Sequence, residues 1–96
     1  MRERDLQAMI VEAAGYLGWR VFHDYDSRHS APGFPDLILL RPPALLALEL
    51  KTERGKVRPG QLEWLADLDR VPGVTARLVR PGDLDDVLAL LQGDAA

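Results

Sequence analysis

An α/β domain with one mixed sheet flanked by helices, in the order α-β-β-β-α-β-α, is what this sequence predicts. Three observations predict it. Two apolar runs, Leu37 to Leu40 and Ala44 to Leu50, are joined only by Arg41-Pro42-Pro43 and so form a hairpin. Helical spacing of apolar residues precedes, follows and ends the strand-rich part. A last alternating segment, Val74 to Arg80, lies between the final two helical stretches.

The first helix runs from roughly Glu3 to Leu17, with Leu6, Met9 or Ile10, Ala13 or Ala14 and Leu17 on its apolar stripe. Gly15 weakens it, and Gly18 sits where a C-terminal cap falls. Trp19-Arg20-Val21-Phe22-His23 alternates as a half-buried strand reaching about Tyr25. Asp26 to Pro35, rich in Ser, Pro and Gly, is a loop. Leu37-Ile38-Leu39-Leu40 is continuously apolar, the pattern of a strand buried on both faces. The next strand, Ala44 to about Thr52, splits by period 2. Ala44, Leu46, Leu48 and Leu50 make an apolar face, whereas Leu45, Ala47, Glu49 and Lys51 turn from apolar to charged at the strand's end. A second helix has Pro59 in its first turn and Leu62, Leu65, Ala66 and Leu68 as its inner stripe. Pro72-Gly73 ends it. Val74, Ala76 and Leu78 point inward on the fourth strand, and Pro81-Gly82-Asp83 opens a last helix with Leu84, Val87, Leu88 and Leu91.

With 96 residues, the chain reads as one domain, residues 1–96, with room for one core and one site. The absence of cysteine excludes a disulfide framework and a thiolate metal site. No apolar stretch approaches ~18 residues and the amino terminus is mixed in charge, so neither a membrane span nor a signal peptide is expected, and a cytoplasmic protein is. The net charge of −3 argues weakly against a nucleic-acid partner, but its distribution matters more. From Asp83 to Asp94 every charge is acidic, whereas Lys51, Arg54, Lys56 and Arg58 cluster after the hairpin. A basic loop beside an acidic site suits a phosphate ligand; a plain solvated loop is the alternative.

The chemistry concentrates at Pro35-Asp36 and Glu49-x-Lys51. Asp36 and Glu49, thirteen positions apart, are neighbours across the hairpin. Charge at the end of a core strand is costly unless compensated, and a cation shared by the two carboxylates compensates it. Carboxylate oxygens are hard donors that suit Mg²⁺, with Mn²⁺ as a substitute. Phosphodiester hydrolysis needs an activated water and neutralised phosphate charge, roles open to such a cation with Lys51 beside it. The competing account makes Glu49 and Lys51 a strand-end ion pair and Asp36 a turn cap. It leaves charges on an inward strand face unexplained.

Gly33-x-Pro35-Asp36 followed by Glu49-x-Lys51 resembles the PD-(D/E)xK nuclease motif. With an early helix bearing Glu3 and with Gln61 after the Glu-x-Lys strand, the chain resembles the stand-alone VRR-NUC domains of phages and bacteria over roughly Glu3 to Leu91. The resemblance implies a restriction-endonuclease-like αβββαβ core with an extra C-terminal helix. It implies a catalytic set of Asp36, Glu49, Lys51 and Gln61, and metal ligands Glu3, Asp36 and Glu49. Gln7 shares the helical face of Glu3, and Glu12 is a second candidate for the first-helix ligand. Arg28, Ser30, Arg54, Lys56 and Arg58 are candidate nucleic-acid contacts. His23, Asp24, Tyr25, Ser27 and His29 are weaker ones, and an exposed strand end and loop accounts for them equally well. Trp19 and Trp64 could stack on bases, but their apolar surroundings favour packing or subunit contact. The expected activity is structure-selective cleavage of DNA, at branches such as Holliday junctions, by a homodimer whose twofold axis duplicates the site. A flap or nicking nuclease within a restriction or repair complex is the alternative enzyme, and a non-catalytic nucleic-acid-binding module the alternative class.

Overall fold

In the computed structural model, which describes residues 1–23 and 31–93, the elements follow the expected order. They are α1 (Glu3–Tyr16), β1 (Arg20–His23), β2 (Leu37–Arg41), β3 (Ala44–Leu50), α2 (Pro59–Asp69), β4 (Val74–Val79), a 3-10 turn (Pro81–Asp83) and α3 (Leu84–Gln92). The sheet order is β1-β2-β3-β4; β1 and β2, and β2 and β3, run antiparallel, whereas β3 and β4 are parallel. Arg41 pairs with Ala44, so Pro42-Pro43 is the whole hairpin turn. A parallel β3/β4 pair needs a crossover, and α2 supplies it. Among the described residues no helix is long and apolar enough to cross a membrane.

Period 2 divides the sheet into two working faces. Leu37, Leu39, Leu46, Leu48, Leu50 and Val79 meet Leu6, Ile10 and Ala14 of α1 and Val87 and Leu91 of α3 in the main core. Ala47, Ala76, Ile38, Leu45 and Leu78 meet Leu65 and Leu68 of α2 in a smaller one. Glu49 shares the parity of Ala47 and so faces α2, not the main core. Each fully buried leucine contributes ~1.5–3 kcal/mol, so the larger layer carries most of the stability and the α2 layer leaves room for a polar site. Trp19 is packed rather than presented: its Nε1 donates to the Leu91 carbonyl at 2.8 Å, and the Arg41 guanidinium lies 4.5 Å from its ring centre. It ties α3 to the end of α1.

Three local expectations need correction. On α2, Leu62 and Ala66 are exposed, and the inward line is Gln61, Trp64, Leu65 and Leu68. Counting apolar residues rotates the stripe because the innermost residue of the first turn is a glutamine facing another polar side chain. On β1 the half-buried alternation does not form. Arg20, Val21 and Phe22 are all exposed, Phe22 at 60%. On the face of Arg20 and Phe22 this is because α2 packs over β3 and β4 and leaves the edge strand bare, whereas Val21, beside Leu39 on the other face, lies at the open edge of the sheet. Finally, β3 ends at Leu50 rather than Thr52, although the Lys51 N–H still donates to Val79 at 3.0 Å. The part of the first-strand expectation reaching Tyr25 lies outside the described residues.

The loop before β2 is held by a close backbone approach. Gly33 has φ +86, and a Cβ there would lie 2.7 Å from the Gly60 carbonyl carbon in the first turn of α2. Trp64 reinforces the contact, with Nε1 donating to Pro32 at 3.2 Å and its ring meeting Phe34 edge-to-face at 5.1 Å. Gly33→Ala therefore combines a disfavoured φ with a backbone clash, and is expected to destabilise the protein by about 2 kcal/mol or more. A denaturant titration checks this, and unchanged stability would refute the close approach.

Candidate active site

Asp36 directly precedes β2, and the register pairing Leu37 with Leu48 puts it opposite Glu49. Its Oδ2 accepts the Leu50 N–H at 3.0 Å, which fixes the carboxylate across the two strand ends. Pro35, fully buried, holds the approach to it. Glu49 is only 3% exposed, the one buried charged side chain among the described residues. Its Oε2 accepts Gln61 Nε2 at 2.9 Å and lies 3.9 Å from Lys51 Nζ. Gln61 cannot turn its amide around, because its own Oε1 accepts the Arg58 N–H at 2.9 Å at the start of α2. The first turn of α2 thus presents a fixed N–H donor to Glu49.

The other oxygen, Glu49 Oε1, is buried and has no hydrogen-bond partner. Burial and the neighbouring Asp36 carboxylate push the Glu49 pKa up from 4.5 to about 8, with Lys51 pulling it partly back down. Ionising both of these facing carboxylates, one of them buried with an oxygen that no protein donor reaches, is costly for the protein alone. Two hard oxygen donors, one lacking any partner, fit a divalent cation that keeps waters in its other positions.

These groups line a cavity of about 560 Å³ with Glu3, Phe34, Arg58 and Gln61. Glu3 faces it, whereas Glu12 lies against Met9 and Tyr16 on a different surface. The first-helix residue at the site is therefore Glu3. The expected convergence of three acids is looser than anticipated: among the described residues no three His, Asp or Glu side chains group closely enough to hold one ion. Asp36 and Glu49 form the tight pair. Glu3, at the start of α1, sits on the rim and adds only a small upward push to the Glu49 pKa. Gln7, one turn on, meets His23 Nδ1 at 3.3 Å, and neither is among the residues lining the cavity.

Arg58 reaches the cavity; Arg54 and Lys56 are exposed on the loop leading to it. Arg28 and Ser30, with Asp24, Tyr25, Ser27 and His29, lie outside the described residues. Sequence reasoning missed Phe34 and Gly60 in the cavity wall. The glycine that the close approach requires is Gly33, whose place in the Gly33-x-Pro35-Asp36 segment was the available signal.

A helix-flanked mixed sheet of restriction-endonuclease-like topology, with a Pro-Asp at one strand end and Glu-x-Lys on the next, defines the PD-(D/E)xK nuclease superfamily. The VRR-NUC domain model matches residues 3–80, and the chain belongs to that family of nucleases. A VRR_NUC domain protein of known structure superposes over 97% of this chain and 87% of its own, with a TM-score of 0.70 at 20% identity. Hjc of Archaeoglobus fulgidus, a Holliday junction resolvase, superposes over 81% of this chain and 67% of its own, with a TM-score of 0.54 at 22% identity. No curated protein sequence matches the chain.

Proposed function

We propose that the domain is a metal-dependent, structure-selective DNA endonuclease that acts on branched DNA as a homodimer. The observation that carries the metal dependence is Glu49 Oε1, buried and unpartnered opposite Asp36. Asp36 and Glu49 would hold the ion, with Glu3 on the rim contributing through its charge or a bridging water. Mg²⁺ is the natural occupant, and Mn²⁺ a substitute. When bound, such an ion supplies Lewis-acid polarisation of the phosphate and lowers the pKa of a water.

The remaining work falls to this chain's own side chains. Gln61 holds Glu49 Oε2 by a fixed amide, so the carboxylate cannot rotate away. Lys51, beside Oε2, is placed to orient the attacking water and to offset charge gathering on the phosphate oxygens. Arg58 at the cavity and Arg54 and Lys56 on the loop bind flanking phosphates, a contact that carries register and shape rather than base identity. Branched substrates and a twofold dimer are supported by two considerations. A single site cuts one strand, and isologous pairing presents two sites of opposite polarity. The structural neighbour Hjc is a Holliday junction resolvase.

The test uses labelled four-way junctions, flaps and plain duplex with Mg²⁺, Mn²⁺ or EDTA, beside a measurement of mass in solution. Metal-dependent cutting of the junction by a dimer is expected. Preference for flaps or nicking by a monomer would replace the substrate assignment, and binding without cutting in any metal would make the domain a non-catalytic module.

A further inference from the structure

Just past the end of β4, one arginine is enclosed by the chain's own backbone. Arg80 Nη1 donates to the carbonyls of Thr52 at 2.7 Å, Glu53 at 3.1 Å and Gly55 at 2.9 Å. The contact is closed from the other side, since Glu53 Oε1 accepts the Gly82 N–H at 2.7 Å. Arg80 is itself held, its N–H donating to Asp83 Oδ2 at 2.9 Å in the 3-10 turn. These bonds join two segments about 27 residues apart, and the segment they gather is the loop between Lys51 and α2.

Both hydrogens of Nη1 are shared among these three carbonyls, so that nitrogen is committed to the loop backbone. Its effect is geometric. With the carbonyls of 52, 53 and 55 drawn inward around it, Arg54 and Lys56 are left on the solvent side, and Arg58 follows at the cavity. A free loop of this length would lose those side chains' mutual arrangement, and ordering it during binding would cost affinity.

We propose that Arg80 is a positioning residue for nucleic-acid phosphates: it holds the loop after β3 so that Arg54, Lys56 and Arg58 present one preformed cationic surface leading to the active site. The assignment rests on the nuclease reading above and adds a residue to it. It makes Arg80 act through three other residues, so its loss should remove more than one charge's worth of binding.

The experiment measures binding of a fluorescent four-way DNA junction in Ca²⁺ at several salt concentrations. The proteins are wild type, Arg80→Ala, Arg80→Lys, the triple variant Arg54→Ala/Lys56→Ala/Arg58→Ala, and the triple variant combined with Arg80→Ala. Each phosphate contact contributes about 0.9 to the slope of log affinity against log salt. Arg80→Ala is expected to lower the slope by about 2 or more, close to the triple variant. Combining them should add nothing further, because both remove the same surface. Arg80→Lys, which keeps charge and donors on a shorter reach, should fall between. A slope change of about 0.9 or less, or fully additive losses, overturns the proposal. Limited trypsin digestion without DNA gives an independent readout: cleavage after Arg54 and Lys56 should quicken in Arg80→Ala while the circular dichroism of the fold is retained. Unchanged cleavage would overturn the clasp. A wild-type protein that binds neither junction, flap nor duplex would instead overturn the functional reading, whatever the digestion shows.

Discussion

Lys51→Ala is expected to lower the rate of strand cleavage about 10²–10³-fold at saturating DNA and metal, while leaving the fold intact. The side chain is 15% exposed and sits at the end of β3, 3.9 Å from Glu49 Oε2, where it contributes to the site more than to the core. The contact is long, and without metal Glu49 keeps its proton up to about pH 8, so little ion-pair energy is lost and melting should change slightly. The loss should appear in kcat, because an ammonium that offsets charge developing on phosphate acts mainly in the transition state. Asp36→Ala should be at least as damaging, since it also removes the acceptor of the Leu50 N–H. Steady-state cleavage of a labelled junction checks both. A Lys51→Ala enzyme as fast as wild type would refute the catalytic role assigned to the lysine even if the protein were a nuclease.

Glu49→Gln is expected to abolish cleavage and, without metal, to make the protein more stable at alkaline pH. The sign follows from linkage. In the folded state burial and Asp36 raise the Glu49 pKa to about 8 from 4.5, so between those values the folded protein keeps a proton that the unfolded chain releases. Stability from this group is therefore complete below about pH 4.5 and is lost as pH rises through about 8. The full loss is on the order of 3 kcal/mol, discounted because Glu49 borders a cavity open to water. Glutamine keeps the shape, can still accept from Gln61, and removes the charge. Thermal melting in EDTA from pH 5 to 9 should show a falling Tm for wild type and a flatter one for Glu49→Gln. Added Mg²⁺ should stabilise wild type more at pH 9 than at pH 6, because the ion competes with that proton. Parallel pH profiles for the two proteins would contradict the origin given to the shift.

Much of this site could be read from residue order because a hairpin is simple geometry. Once Leu37 to Leu40 and Ala44 to Leu50 are strands joined by two prolines, Asp36 and Glu49 must face one another, and period 2 sends Glu49 and Lys51 to one side. What could not be read was which helix covers that side. The answer depends on the parallel β3/β4 crossover, which brings the first turn of α2, and so Gln61, over the strand end. The inner stripe of α2 was misjudged for the same reason, since a buried polar partner breaks the apolar pattern used to find buried faces. The exposure of Phe22 likewise depends on how far α2 extends across the sheet, a distance that β1's own alternation does not contain. Arg80 was invisible because its partners are backbone carbonyls, which every residue carries. Gly33, by contrast, carried a usable sign, since a glycine just before Pro35-Asp36 marks a place where the backbone turns with positive φ and passes close to another segment.

Asp36 and Glu49 are proposed to bind a divalent cation together, Glu49 through the one oxygen that the protein alone leaves unsatisfied. Anomalous scattering from a crystal soaked in Mn²⁺ tests it most directly. A peak beside the Asp36 and Glu49 carboxylates, near Lys51 and absent from a Glu49→Gln crystal, is the expected result. Full occupancy of Mn²⁺ elsewhere on the protein, with nothing between those two carboxylates, would contradict it.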